Sequence, residues 1–264
     1  MSASTAAPPR QRIDPRNPKV SVVGTAVVVI LVGLLLEVGA RAEWWSVVPP
    51  VTTMFEGVIG LLDDPQFWDD AARTGLEVAV SLVFGALFGL LAGILFWKVP
   101  GVGRAFEPYL VALYAVPLAL FYPFMIVLVG INVWSVIILA TLMAAIPMAL
   151  NTNVGLSTMR PVYTKLGKSL GLNQRQMMFS VALPAAGPYL VAGLRMSLVY
   201  ALIGCVAMEF VTAQAGLGYR IRYLYEIFDD NAMYSYIVVV LLISTALTVL
   251  LGVVERLILR GRIK

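Results

Sequence analysis

The stretch GLNQRQMMFSVALP, residues 171–184, lies between long uncharged segments and decides how the chain is organised. A glycine opens it, a Leu-Pro pair closes it, and mixed polar and apolar residues of helical length lie between them. Gly171 suits the left-handed residue that ends a preceding helix. Asn173, with Gln176 three residues later, predicts a capped start for the next helix. The stretch therefore predicts a turn followed by a short helix outside the apolar segments.

Residues 160–187 predict two short helices around this turn. Pro161 suits the first turn of a helix over 161–170, and Pro184 interrupts the second helix. The second helix presents an apolar face formed by Met177, Met178, Phe179, Val181 and Leu183. That face either packs on the protein's own bundle or lies in the lipid interface, or it binds in a groove of another protein.

The composition predicts an all-α membrane protein. The 264 residues are 60% hydrophobic and 13% charged, whereas soluble domains contain about 25% charged residues. The chain has no histidine, which removes the commonest metal ligand and acid–base group. No G-x-x-x-x-G-K-[ST] stretch is present, so no nucleotide-binding P-loop is predicted.

Six apolar segments are long enough to cross the hydrocarbon of a bilayer, which takes about 20 residues. They are residues 20–40, 78–97, 108–130, 133–154, 188–211 and 233–254. The uncharged run from Pro108 to Met159 must hold two of them, with a turn at Gly130–Asn132. The first segment is predicted to be a retained helix rather than a signal peptide. Residues 1–19 are predicted to be a disordered cytoplasmic tail and 20–264 a single transmembrane domain.

Lysine and arginine predict the orientation, because cytoplasmic segments carry an excess of both. With the N-terminus inside, the cytoplasmic segments hold fourteen of these residues, the outside segments hold four, and Arg195 lies within the fifth span. Both termini and residues 160–187 are therefore predicted to be cytoplasmic.

Residues 160–187, called the coupling loop below, resemble the cytoplasmic signature of the membrane-spanning subunits of binding-protein-dependent ABC importers. That signature reads E-A-A, three residues, G, nine residues, then I-x-L-P. Here nine residues separate Gly171 from Val181-Ala182-Leu183-Pro184, between spans four and five. The acidic head is replaced by Lys165-Leu166-Gly167, through drift, a partner of altered charge, or a second, non-identical permease chain.

Three further stretches resemble the nitrate/sulfonate/taurine branch of these permeases. They are PYLVALYAVPLALFYPFMIVLVGI (108–131), IPMALNTNVGL (146–156) and GPYLVAGLRMSLVYALIGCVAMEFVTAQAGLGY (187–219). The resemblance runs from about residue 45 to the C-terminus. It implies a type I importer permease fold, with six spans and a coupling helix between spans four and five.

The resemblance also implies partners and a function. Two permease chains, a homodimer being favoured over a heterodimer, pair in the bacterial inner membrane, two ABC ATPases dock below, and an extracytoplasmic binding protein delivers the solute. ATP and Mg²⁺ belong to the ATPases, so this chain is expected to be no enzyme and to need no cofactor, metal or nucleic acid. The expected solute is a small anion such as a sulfonate, taurine or nitrate, with a vitamin precursor or other small ring compound as the alternative.

The residues expected to couple ATPase motion to the spans lie in the coupling loop: Lys165, Leu166, Gly167, Gly171, Met177, Phe179, Val181, Leu183 and Pro184. The candidates for the translocation path lie in spans three and five: Pro117, Pro123, Arg195, Ser197, Tyr200 and Glu209. Charged residues within a membrane span indicate function by default, and each proline invites a kink. Purely structural roles stay open for all of these path residues.

Two other classes of membrane protein compete with this interpretation. Secondary transporters, and channels not driven by an ATPase, form one, but transporter folds show internal repeats and midplane ion sites, which this sequence lacks. A membrane-embedded enzyme is the other class, but the apolar segments of this sequence contain few residues that could act as catalytic groups. Co-purification of a P-loop ATPase distinguishes an ABC permease from both.

Overall fold

The computed structural model describes residues 18–44, 47–212 and 214–260, most of which are helical. The helices are α1 (Pro18–Arg41), α2 (Val51–Leu61), α3 (Pro65–Lys98), α4 (Pro100–Ala115), α5 (Tyr122–Val129), α6 (Val133–Ser157), α7 (Pro161–Ser169), α8 (Gln174–Gln176), α9 (Leu183–Ala185), α10 (Gly187–Thr212), α11 (Leu217–Glu226) and α12 (Asp230–Arg260). A 3-10 turn (Leu118–Phe121) precedes α5, and a π-helical segment (Met177–Ala182) joins α8 to α9. The predicted disordered tail lies outside the described residues, apart from Pro18 and Lys19, which begin α1.

Five helices of the described part are long and apolar enough to cross a membrane. The segments that meet this description are Gly24–Arg41, Pro65–Lys98, Val133–Ser157, Gly187–Val211 and Asp230–Val253. The second span starts earlier than the predicted residue 78, at Pro65. Asp64 caps that start by accepting a hydrogen bond from the backbone N–H of Gln66 at 2.9 Å.

The third predicted span, residues 108–130, is not one helix, which corrects that prediction. α4 ends at Ala115, Val116 is extended (φ −83°, ψ 135°), and the 3-10 turn and α5 follow. Pro117 explains the break, because a proline lacks the N–H and disfavours helical backbone in the residue before it. Pro123 lies in the first turn of α5, where it removes no interior hydrogen bond, so the predicted kink at this residue is wrong.

The centre of the bundle lies where α3, α6 and α10 pack together. Gly85, Gly89 and Gly93 form a stripe along α3, and each faces α6 so closely that an added Cβ would collide with it. At Gly85, for example, a Cβ would lie 2.6 Å from the Cβ of Ala144. Small residues at this spacing let two membrane helices approach closely and gain van der Waals contact. This contact holds the second half of α3 directly against α6.

Candidate functional site

The turn predicted at Gly171 is present in the coupling loop. Gly171 has φ +69°, its N–H donates to the carbonyl of Lys168 at 3.1 Å, and Leu172 N–H donates to the carbonyl of Gly167 at 3.0 Å. These two bonds form a Schellman motif, in which the left-handed position favours glycine. The chain therefore reverses sharply after α7.

The helix that follows begins with the predicted capping box. The backbone N–H of Gln176 donates to Asn173 Oδ1 at 2.8 Å, and the backbone N–H of Asn173 donates to Gln176 Oε1 at 2.9 Å. Two backbone donors that a helix start leaves open are satisfied in this way. The turn and the box together give the coupling loop a defined shape without help from another chain.

The helix does not stop at Pro184, contrary to the predicted interruption. It widens into the π-helical segment, in which Leu183 N–H donates to the carbonyl of Met178, and continues through Pro184 to Ala185. In a regular helix the proline ring would clash with the carbonyl four residues earlier, that of Ser180. The π-helical segment includes Ser180, so the wider turn lies at the position of this clash.

The apolar face of this helix is divided between the bundle and the outside. Met178 is buried with Leu156 of α6 and Ala186, and Leu183 packs against them. Phe179, in contrast, is 63% exposed. The inner side of the face therefore packs on the bundle, whereas the outer side is open, and its binding in a groove of another protein stays a prediction.

The outer side includes exposed apolar residues from α7. Val162, Leu166 and Leu170 are exposed there, like Phe179, and Lys165 is exposed between them. Val181 is half-buried and Gly167 is buried. Met177 packs its thioether end onto Gly167, so an alanine at 167 would require only that flexible end to move. This contact is local and does not involve Lys165, the basic residue that replaces the acid of the family signature.

Two of the predicted path residues, Pro117 and Tyr200, line one cavity of about 360 Å³. The rings of Tyr114 and Tyr200 stand 4.8 Å apart in its wall. The described residues that line it are Leu113, Tyr114, Ala115, Val116, Pro117, Leu118, Met143, Ile146, Tyr200, Ile203 and Ala207. None of these side chains is charged, and the two tyrosine hydroxyls are the polar side-chain groups among them.

The remaining path candidates lie elsewhere. Ser197 is buried and donates to the carbonyls of Ala144 and Gly193, at 2.8 and 2.9 Å, so its hydroxyl joins α10 to α6. Arg195 lies on the side of α10 that faces α12, where its guanidinium approaches Gly252. Glu209 is buried near the other end of α10. The structure thus brings together two of the six candidates and separates the rest.

Comparison with known proteins gives this arrangement its context. The model of a family described as "Binding-protein-dependent transport system inner membrane component" matches residues 85–260, more than half of the chain. The chain belongs to this family.

Several relatives of this inner membrane component are transport permeases. It is 30% identical over 173 residues to the formylaminopyrimidine transport permease protein ThiX of Halalkalibacterium halodurans, which covers 66% of this chain and 68% of that protein. It is 26% identical over 228 residues to the taurine transport system permease protein TauC of Escherichia coli, covering 81% and 83%. It is 26% identical over 256 residues to the nitrate import permease protein NrtB of a Synechocystis strain, covering 92% and 90%.

The fold of the inner membrane component is also similar to a solved importer. A chain of the MetNI methionine ABC transporter, in an inward-facing form, superposes with a TM-score of 0.63 and 24% identity, covering 76% of this chain and all of that one. The predicted ABC importer permease fold is therefore confirmed.

Sequence reasoning missed a buried polar cluster at the end of this inner membrane component opposite the coupling loop. Asp70, Thr74 and Glu77 of α3 are at most 5% exposed, and they meet Glu209 and the start of α11. Asp70 pairs with Arg220 at 2.8 Å; burial lowers the pKa of that guanidinium, but the hydrogen bond and charge of Asp70 leave it above its usual value. The spacing 70, 74, 77 was a detectable signal, because it puts all three side chains on one helix face.

Proposed function

We propose that this chain forms one side of the solute path in an ATP-driven importer of the bacterial inner membrane, with both termini in the cytoplasm. The observation that carries the proposal is the coupling loop, a preformed turn and capped helix whose inner side is packed on the bundle and whose Phe179 is exposed. Because the shape of this loop does not depend on a partner, the loop can transmit a partner's movement to the spans.

The loop is attached to the spans that would have to move. Met178 packs against Leu156 near the end of α6, and α10 begins directly after the loop, at Gly187. A displacement of Phe179 by a docked ATPase would therefore act on α6 and α10 together. α3 would move with α6, because the glycine stripe packs these two helices directly together.

The partners that this proposal requires are two ABC ATPase subunits, an extracytoplasmic binding protein and a second permease chain. The ATPases would supply ATP hydrolysis with Mg²⁺, since this sequence contains no P-loop. A homodimer is favoured over a heterodimer. Surrounding lipid would cover the exposed apolar side chains of α1, such as Val29 at 64% exposure.

We further propose that the solute is a small ring compound. The tyrosine-lined cavity supports this choice: its two tilted tyrosine rings offer aromatic surface to a planar solute, and its described lining offers no basic group to an anion. One relative is named for formylaminopyrimidine transport and another, in Chloroflexus aurantiacus, for riboflavin transport. A small anion is the second candidate, supported by the relatives named for taurine and nitrate.

A reconstitution tests both parts of this proposal. The chain is co-expressed with an ABC ATPase and a binding protein from the same organism, purified through a tag on the chain, and placed in vesicles. We expect the ATPase to co-purify, and ATP-dependent uptake of an aminopyrimidine to exceed that of taurine and nitrate. Full uptake without the ATPase would overturn the importer assignment, and preference for either anion would overturn the choice of solute.

A further inference from the structure

The buried polar cluster at the junction of α3, α10 and α11 contains more acidic than basic groups. Its charged members are Asp70, Arg73 and Glu77 of α3, Glu209 of α10 and Arg220 of α11. All three carboxyl groups are at most 2% exposed. With every group ionised, the cluster would carry one uncompensated negative charge on buried carboxylates, which is costly.

Both guanidinium groups are already engaged by other carboxylates. Arg220 Nε bonds Asp70 Oδ2 at 2.8 Å, and Arg73 Nε bonds Glu77 Oε1 at 2.7 Å. Glu209 accepts from neutral donors: the Thr74 hydroxyl, at 2.7 and 2.9 Å from its two oxygens, and the backbone N–H of Gly218 at 2.9 Å. The excess negative charge therefore belongs to the Glu77 and Glu209 pair.

The pair lacks a hydrogen-bond donor to one carboxylate oxygen of Glu77. Glu77 Oε2 is buried and receives no hydrogen bond from any described residue. The hydroxyl of Thr74, one helical turn before Glu77 on α3, contacts both oxygens of Glu209, so the carboxyl groups of Glu77 and Glu209 lie side by side. Two carboxylates at that separation cannot both stay ionised in a buried site, whereas one proton between them removes the repulsion and provides the missing donor.

We propose that Glu77 and Glu209 bind one shared proton, and that this proton holds α11 against α3 and α10. With it, three carboxyl groups, two guanidinium groups and one proton sum to zero charge. The other titratable groups that face the cluster are Cys205 of α10, Tyr219 of α11 and Tyr236 of α12; thiols and phenols are neutral near pH 7, so they leave this sum unchanged.

The shared proton affects α11 because the start of that helix is bound to the same side chains. The N–H groups of Gly216, Leu217 and Gly218 donate to Asp70, Thr74 and Glu209, at 3.0, 2.9 and 2.9 Å. Gly216 sits so close to the Glu209 carboxylate that no Cβ would fit between them. Loss of the proton would add a second charge beside this contact, so docking of α11 should weaken as the pH rises and strengthen as it falls.

Infrared spectroscopy of the purified full-length chain in lipid, with isotope-labelled glutamate, tests the proposal directly. The wild type at pH 7 should show the carbonyl band of a protonated glutamate. The band should vanish in Glu77→Gln and in Glu209→Gln. Either change leaves a single carboxylate beside the positively charged Arg73, and that carboxylate can stay ionised. It should persist in the control Glu226→Gln, which alters an exposed carboxylate of α11.

Three results would overturn the inference. One is the absence of a protonated glutamate band in the wild type at pH 7, which needs no variant and holds even if both variants misfold. Another is a band that survives in both single variants. The last is displacement of the band by Na⁺ or K⁺ at constant pH, which would make the pair a cation site.

Discussion

The backbone N–H of Leu172 donates to the carbonyl oxygen of Gly167 at 3.0 Å, and this bond turns the chain back on itself after α7. Gly171, between them, takes φ +69° to allow it. A β-branched residue in this left-handed conformation costs on the order of 1–3 kcal/mol. The turn at Gly171 therefore depends on a backbone conformation that favours glycine.

Gly171→Val should consequently abolish or strongly reduce solute uptake in the reconstituted importer while the chain still inserts into the membrane. Gly101→Val is a matched control, because Gly101 has open space around it and no positive φ. Uptake and membrane-protein level are measured together for both variants. Normal uptake by Gly171→Val at normal protein level would contradict the role assigned to this turn.

Met178 and Phe179 are neighbours in sequence with opposite environments, 7% and 63% exposed. Met178→Ala should lower the free energy of unfolding by about 2–5 kcal/mol, because it opens a cavity beside Leu156. Phe179→Ala should change that free energy by no more than about 0.5 kcal/mol and instead weaken association with the ATPase. Denaturant unfolding and co-purification distinguish the two effects. Retention of the ATPase by Phe179→Ala would remove this side chain from the proposed docking surface.

The glycine stripe of α3 predicts a position where even one methyl group is harmful. At Gly89 an added Cβ would lie 2.6 Å from the Cβ of Met148 and would also meet the backbone of α6. Gly89→Ala should therefore destabilise the protein by about 1–3 kcal/mol. Gly75→Ala, in the same helix with nothing within 4 Å of its Cβ position, should be neutral or slightly stabilising. Equal melting temperatures for both variants would show that α3 and α6 do not pack as closely as described.

The tyrosine-lined cavity predicts a ring-dependent effect on transport, which rests on the proposed function. Tyr200→Ala should reduce aminopyrimidine uptake, whereas Tyr200→Phe should keep most of it, because the aromatic ring beside Tyr114 remains. Tyr109→Ala serves as the control, since Tyr109 is 69% exposed on α4 and lies outside the cavity. Unchanged uptake in Tyr200→Ala would place the path elsewhere.

The sequence alone determined the parts of this protein that depend on local chemistry. Pro161, Gly171 and Asn173 marked the ends of short helices because their backbone and capping preferences act over a few residues. The apolar runs indicated spans because a membrane helix must satisfy its own backbone, and four of the six spans lie within a few residues of their predicted bounds. The family resemblance rested on the same loop.

Tertiary structure decided whatever required two distant segments to meet. Pro117 and Tyr200 share a cavity while Pro123 and Arg195 do not, although all four lie in apolar segments. Glu77 meets Glu209 because the glycine stripe brings α3 against α6, and α6 packs on α10. A single sequence contains no record of which helix faces which, since the free energy of packing comes from complementary surfaces and not from either surface alone.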